Sequence, residues 1–372
     1  MRLNGVSSGL RPFRGDGAKD GVWKGTIDHM NHPPRPRYLF GGIGIGLMLV
    51  LTGCALPRAV AGASAVPTVG ASPTASPSAT SGTPSPSSTP SSTPSSTPSV
   101  TAGPQMLVNS ISPLDGQTVG VAMPISVVFS TPVNVDARAG IEQHITVATS
   151  TPVQGAWHWF SDRRVDFRPK SYWSPGTTVS LVADFNNVGD GNGRYGAHSY
   201  TRTFTIGDDI ETHVYVDQHK TVVTKNGQVI RTMLSDAGNP QFPTWDGTMA
   251  VVGKAANVRM TSCSVGIACN PSDPNFYDLT LPWDVQITWS GTYLHYSTGD
   301  PNPGHAYGSH GCVHLSWADS QWFYNLSKPG DPVTITGSPR GLAAGDNGYA
   351  DYNVTWTDWL AGSGMGEFTT PV

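Results

Sequence analysis

The sequence predicts a mainly β protein: a β-sandwich followed by a second β domain that holds one short helix. Three observations carry that prediction. From about residue 105 onward, short runs of β-branched and aromatic residues alternate with turn residues every ten positions or so, as in sandwiches. Gly (43), Pro (31) and Trp (11) are abundant while charged residues make up only 13%, a profile of turn-rich extracellular β domains. Only Ser316–Leu326 carries clear helix signals in the second domain, with Ser316 able to cap and Trp317, Trp322, Phe323 and Leu326 supplying apolar faces. A length of 372 residues allows two or three domains. The net charge of −4, with no Lys/Arg cluster, excludes a phosphate footprint, so no nucleic-acid partner is expected. Four cysteines, Cys54, Cys263, Cys269 and Cys312, are too few and too scattered for a disulfide-stapled miniprotein.

The chain begins with an export signal, assigned to 1–53. Arg35 and Arg37 precede an uncharged run from Tyr38 to Leu51, the pattern of a basic n-region before an apolar h-region. With 14 residues and four glycines, the run falls short of the roughly 20 apolar residues that span a bilayer. Residues 1–29 make a long n-region, and Met30 is a candidate start because Met30 to Cys54 forms a signal of ordinary length. The run ends Leu51-Thr52-Gly53-Cys54, which resembles a bacterial lipobox, where the cysteine becomes the acylated first residue. An ordinary signal peptide or a single anchor with an incidental cysteine is the alternative. Lipidation at Cys54 would tether the protein to the outer face of the cytoplasmic membrane. Residues 54–104 are almost entirely Ser, Thr, Pro, Ala and Gly, with no periodicity that could bury a core. Such a spacer, at up to about 3 Å per residue, reaches on the order of 100–150 Å, enough to work inside a cell wall.

The first β domain is placed at 105–208. Ile125–Phe129, Ala156–Phe160, Arg164–Arg168, Thr178–Ala183 and Ser199–Ile206 read as strands, and Pro113–Gly116 and Ser174–Gly176 as turns. Asp162, Arg163, Arg164 and Asp166 read as solvated strand positions and local ion pairs rather than a site, and His158 as an exposed alternation partner. The loop 189–193 offers too few acids for a calcium site.

The second domain is placed at 209–337. His213–Val216, Thr221–Thr224, Gln228–Leu234, Met249–Lys254, Val285–Trp289 and Thr292–His295 read as strands, the helix follows, and Asp331–Thr336 closes. Asn226-Gly227 supplies the positive φ of a hairpin turn. The chemistry is concentrated in Ser309-His310-Gly311-Cys312, with His295 seventeen residues before the cysteine. A thiol attacks as the thiolate and needs a base or positive field to lower its pKa, a task that imidazole suits. Gly311 lets backbone N–H groups approach a reacting carbonyl oxygen. On residue types alone, a buried structural cysteine is an equal alternative.

These residues resemble the catalytic domain of the L,D-transpeptidases, the YkuD family. The resemblance rests on His295, Ser309-His310-Gly311-Cys312, the helix with Gln321-Trp322-Phe323-Tyr324, and Gly330-Asp331-Pro332-Val333. Upstream, Pro113-Leu114-Asp115-Gly116 and Phe167-Arg168-Pro169 with Trp173-Ser174-Pro175-Gly176 are similar to the immunoglobulin-like domain that precedes it in actinobacterial members. The resemblance implies an immunoglobulin-like β-sandwich ahead of an L,D-transpeptidase β-sandwich, and a cell-wall enzyme without cofactor or metal. It implies Cys312 as nucleophile, His295 as general base held by the backbone carbonyl of Tyr296, and an oxyanion hole from the N–H groups around His310, Gly311 and Cys312, with His310 tuning the thiolate. Ser309 belongs to the same motif. Tyr277, Ser290, Gly291, Tyr296 and His314 fall at substrate-contacting positions. The partners implied are peptidoglycan stem peptides, a donor tetrapeptide and an acceptor amine. The thioester formed with the third, diamino-acid residue releases D-Ala, and a neighbouring stem's side-chain amine resolves it to a 3→3 cross-link. His314 departs from the family pattern, where Asn or Arg is common, and only thirteen residues separate His295 from Ser309.

Cys263 and Cys269 fall in the family's lid loop. A disulfide permitted outside the cell is the favoured pairing, over free thiols or metal ligation, since no His lies in that loop. Residues 338–372 form a tail whose Trp356 and Trp359 are expected to pack at the domain junction, a carbohydrate-contacting patch being the alternative. An L,D-carboxypeptidase, with water resolving the same acyl-enzyme, and a catalytically silent wall-binding lipoprotein are the rival functions.

Overall fold

A computed structural model describes residues 103–372. The expected export signal, Cys54 and all but the last two residues of the spacer lie outside the described residues. Among the described residues, three α-helices accompany the strands: α1 (Arg138–Gln143), α2 (Trp317–Leu326) and α3 (Trp356–Ala361). Only α2 falls within the expected second domain, and the Ser316 side chain caps it by accepting from the Asp319 N–H.

The first domain is a sandwich. One sheet pairs Thr118–Val119, Ser199–Ile206, Thr178–Asp184 and Ile145–Thr149; the other pairs Val108–Ser112, Ile125–Phe129, Arg164–Pro169 and Gln154–Trp159. Phe129, Trp157, Phe167, Leu181 and Phe204 fill the space between them and are at most 1% exposed. The fifth strand of the second sheet, Phe368–Thr369, comes from the C-terminal tail and pairs antiparallel with Gln154–Gly155. The tail is therefore part of the sandwich rather than a cover laid on it. Trp359 is fully buried, donates its indole N–H to the Ala156 carbonyl, and stacks on His158 at 4.6 Å. His158 is thus a packing partner, not an exposed alternation residue.

The same junction corrects the reading of Arg164 and Asp166. Both are buried, at 6% and 0% exposed, and they form an ion pair. Arg164 also donates to the carbonyls of Asp346 and Gly348 and lies over the Trp289 ring. Linear alternation put these charges in water, but the tail and the second domain cover that face. Close backbone contact adds to the junction: Gly120 N–H donates to the Pro329 carbonyl and Ala122 N–H to the Gly330 carbonyl.

The second domain is built on one nine-stranded sheet. Its order is Gly247–Ala250, Pro332–Thr336, Ile210–Tyr215, Lys220–Lys225, Gln228–Asp236, Val313–Leu315, Tyr293–Tyr296, Asp278–Gln286 and Gly253–Thr261. Val214 and Ile335 from one half, Val285, Leu294 and Val313 from the other, and Phe323 of α2 share a single core. The sheet wraps that core, which makes a sandwich of a continuous ladder. The expected strand Met249–Lys254 is instead two strands, interrupted at Val251-Val252. The second of them, Gly253–Thr261, pairs with Asp278–Gln286 as a long hairpin over the cavity described next. Cys263 and Cys269, at its tip, are disulfide-bonded.

Candidate active site

Strand register brings the reactive residues together. Tyr293–Tyr296 and Val313–Leu315 run parallel, with Leu294 opposite Val313 and His295 opposite His314. Residues opposite each other, and residues two apart on one strand, project from the same face. Cys312, one residue before the strand, therefore shares its face with His314 and His295, while Leu294 and Val313 point into the core. A cavity of about 660 Å³ opens on that face. Cys312, His295, Ser309 and His310 line it, as do Tyr277, Ser290, Gly291 and His314.

Tyr296 does not line it. Alternation turns its ring to the opposite face, where it packs on Trp317 of α2 at 5.1 Å. Its contribution is its backbone: the Tyr296 carbonyl lies 2.7 Å from His295 Nδ1. A carbonyl only accepts, so Nδ1 carries the proton and Nε2 presents a lone pair.

His295 is 2% exposed, and burial, helped by nearby His314, pushes its imidazole down to about 3. Burial likewise pushes the Cys312 thiol up to about 12, against a hydrogen bond with the Tyr293 backbone and with Asp284 adding to the rise. The expected lowering of the cysteine pKa is not what the site does. Among the described residues no cation offsets the desolvation of the sulfur, and His310 is itself pushed below its ordinary value by burial. Burial thus favours the neutral thiol and the neutral imidazole in this pair. Cys312 Sγ rests 3.6 Å from the Gly291 carbonyl, on a turn where Gly291 has φ +97°.

The turn before the cysteine has its own brace. Ser309 Oγ donates to the Cys312 carbonyl and accepts the Gly311 N–H at 3.1 Å. Gly311 has φ +119°, a conformation that side chains disfavour. Ser309 thus occupies the Gly311 N–H, one of the three N–H groups expected to face a reacting carbonyl. The His310 ring lies between Phe242 and Tyr277, at 4.9 and 5.1 Å.

Four further residues belong to the site without standing in any motif. Asp300, on the loop between the two reactive strands, holds His314 Nδ1 at 3.0 Å. Asp236, fully buried, accepts the N–H groups of Gly304, His305 and Ala306 and the His219 ring at 2.7 Å. Burial pushes Asp236 up, yet these donors leave it below its ordinary value. It clamps the loop that leads to Ser309. Asp284 is fully buried on the strand beside His295. Arg340 lines the cavity near Gly311 and lies over Trp245 at 3.7 Å. The one sequence signal for Asp284 was a lone acid within an apolar strand; Asp236, Asp300 and Arg340 carried none.

Similarity to known proteins agrees with this geometry. One family profile, described as a bacterial Ig domain, matches residues 82–189, and another, described as an L,D-transpeptidase catalytic domain, matches residues 211–335. L,D-transpeptidase 2 of Mycobacterium tuberculosis is 33% identical over 256 residues, covering 68% of this chain and 61% of that protein. The chain thus spans about three fifths of that relative's length. L,D-transpeptidase 1 of the same organism is 36% identical over 231 residues, covering 62% of this chain and 85% of that protein. A solved structure of L,D-transpeptidase 3 from Mycobacterium tuberculosis, in complex with a faropenem-derived adduct, matches with a TM-score of 0.51 at 30% identity, covering 62% of this chain and 98% of that one. Shared sequence over most of a relative's length, with matches to both domains, shows that this chain belongs to the L,D-transpeptidase family.

Proposed function

We propose that the protein is a peptidoglycan L,D-transpeptidase that forms 3→3 cross-links through a thioester on Cys312. The observation that carries this reading is the shared face of Cys312 and His295, with the His295 lone pair fixed by the Tyr296 carbonyl. A neutral thiol and a neutral imidazole favour attack with concerted proton transfer over a preformed ion pair. Cys312 Sγ adds to the carbonyl of the third residue of the donor tetrapeptide as its proton passes to His295. The N–H groups of His310 and Cys312 bind the oxyanion. His295 returns the proton to the departing D-Ala amine, leaving the thioester. The side-chain amine of a second stem, once its ammonium has released a proton to water, then attacks the thioester carbonyl; His295 takes a proton from the attacking nitrogen and passes it to the sulfur as the C–S bond breaks, which restores the thiol. Arg340, at the Gly311 side of the cavity, supplies a positive charge for a substrate carboxylate.

The protein would act outside the cell, anchored by lipid at Cys54 and extended into the wall by residues 54–104. The Cys263–Cys269 disulfide supports an oxidising compartment. Solved relatives in complex with imipenem and with a faropenem-derived adduct suggest the direct test. Incubation with a carbapenem should add its mass to Cys312 and not to Cys312→Ala, and the wild type should convert tetrapeptide muropeptides to 3→3 dimers. Dimer formation by Cys312→Ala would refute the mechanism, and a tripeptide product without dimers would assign a carboxypeptidase.

A further inference from the structure

Transfer to an amine poses a problem that the nucleophile and base do not solve. The acceptor's side-chain amine arrives as an ammonium and must be held beside the thioester in a cavity that otherwise penalises charge. Among the described residues lining the cavity, Asp300 is the only carboxylate. It sits on the loop that joins the base strand to the nucleophile, and its Oδ2 holds His314 Nδ1 at 3.0 Å. With Nδ1 donating to that carboxylate, His314 Nε2 presents a lone pair, and among the described residues no hydrogen bond engages it. His314 is 8% exposed and lines the cavity two residues beyond Cys312 on the same face, its ring 5.1 Å from that of His295. Burial holds His314 neutral, down at about 4, so the lone pair is available at neutral pH.

The other charged neighbours are already engaged. Asp236, opposite His314 on the next strand, is occupied by three backbone N–H groups and His219. His295 is fixed by the Tyr296 carbonyl, and His310 lies between two aromatic rings. Asp300 is raised by burial and by Asp236, and a cation arriving beside it would relieve both effects. Arg340 lines the same cavity near Gly311.

We propose that Asp300 and His314 form the docking site for the protonated side-chain amine of the acceptor stem, with Asp300 as counter-charge and His314 Nε2 as hydrogen-bond acceptor. The inference rests on the transpeptidase reading and assigns these two residues as positioning residues for its second half.

The test follows the acyl-enzyme of the whole protein. It is formed from a donor tetrapeptide, and its partition between water and an acceptor is measured by mass spectrometry. The acceptor is a tetrapeptide stem carrying a diamino acid at its third position. Asp300→Asn should raise the acceptor concentration for half-maximal transfer about tenfold relative to any change in acylation rate, the loss of one charge-assisted contact. Asp300→Glu should recover most of that difference, which a merely structural role would not predict. In the wild type, an acceptor acetylated on its side-chain amine should compete at least about tenfold more weakly than the free amine, a readout that needs no variant. Equal competition, or transfer by Asp300→Asn at wild-type half-saturation, would overturn the docking site alone. Absence of any wild-type acyl-enzyme would overturn the transpeptidase reading and this inference with it.

Discussion

Replacing Asp284 with Asn tests how strongly burial governs the ionisable groups around the site. Asp284 is fully buried on Asp278–Gln286, and neither carboxylate oxygen has a hydrogen bond of normal geometry. Its strand pairs Val285 with Leu294, so the register continued by one residue brings Asp284 beside His295. Burial pushes its carboxyl from 3.8 up to about 7, and the Val258 N–H offsets only part of that. In the unfolded chain the same group ionises near its ordinary value. Between about pH 4 and 7 the folded protein therefore holds a proton that the unfolded chain has released, so stability falls as pH rises through this window. At about 1.4 kcal/mol per pH unit, the loss totals about 4 kcal/mol. Asn cannot ionise, and its own cost of burial does not vary with pH. Urea denaturation of both proteins at about pH 4.5, 6 and 8 should show the wild type losing about 3 kcal/mol relative to Asp284→Asn, the larger part of it between about pH 4.5 and 6. A difference that stays flat across the range would show that the carboxylate is solvated or paired, and the argument from desolvation would fail. The same reasoning would then lose force for Cys312, which Asp284 helps to push up.

Other outcomes follow from the site and the junction. Because His295 is held at about 3, acylation by a carbapenem should show no inflection from this base between about pH 5 and 7; a titration near 6.5 in the rate profile would mean that the imidazole is solvated. Gly120→Ala drives a methyl group into the backbone of Gly330 and Asp331, so it should cost about 1–3 kcal/mol in denaturant unfolding; an unchanged midpoint would show that the two domains do not pack there. Serine at both Cys263 and Cys269 removes a short cross-link worth about 2 kcal/mol to local order. Limited proteolysis should then cut within 262–277 about tenfold faster while Cys312 still acylates, and unchanged cleavage would show that the hairpin, not the disulfide, orders the tip.

The parts of the site that were legible in the sequence are those whose geometry is local. Ser309, Gly311 and Cys312 form one turn, in which a hydroxyl bridges three residues and a glycine takes φ +119°. Such a turn writes itself as a contiguous motif. The Asn226-Gly227 hairpin was readable for the same reason, with φ of 51° and 76°. Asp236, Asp284 and Asp300 were not readable. Each is an acid whose meaning depends on strands or loops far along the chain: Asp236 clamps residues 304–306, and Asp300 reaches His314. Arg164 and Asp166 were misread as solvated because alternation says which face a residue takes, not what covers that face.

By itself the sequence determined the mainly β class and the capped helix α2, and it carried the motif from which a nucleophile and base are expected in this family. Those features depend on periodicity, turn chemistry and a short motif, all carried by neighbouring residues. Tertiary structure alone decided that the C-terminal tail completes the first sandwich, that the Tyr296 ring turns away from the cavity to pack on Trp317, and that burial bears on both Cys312 and His295. Desolvation is a property of everything packed around a group, and strand register joins residues without regard to their separation in the chain.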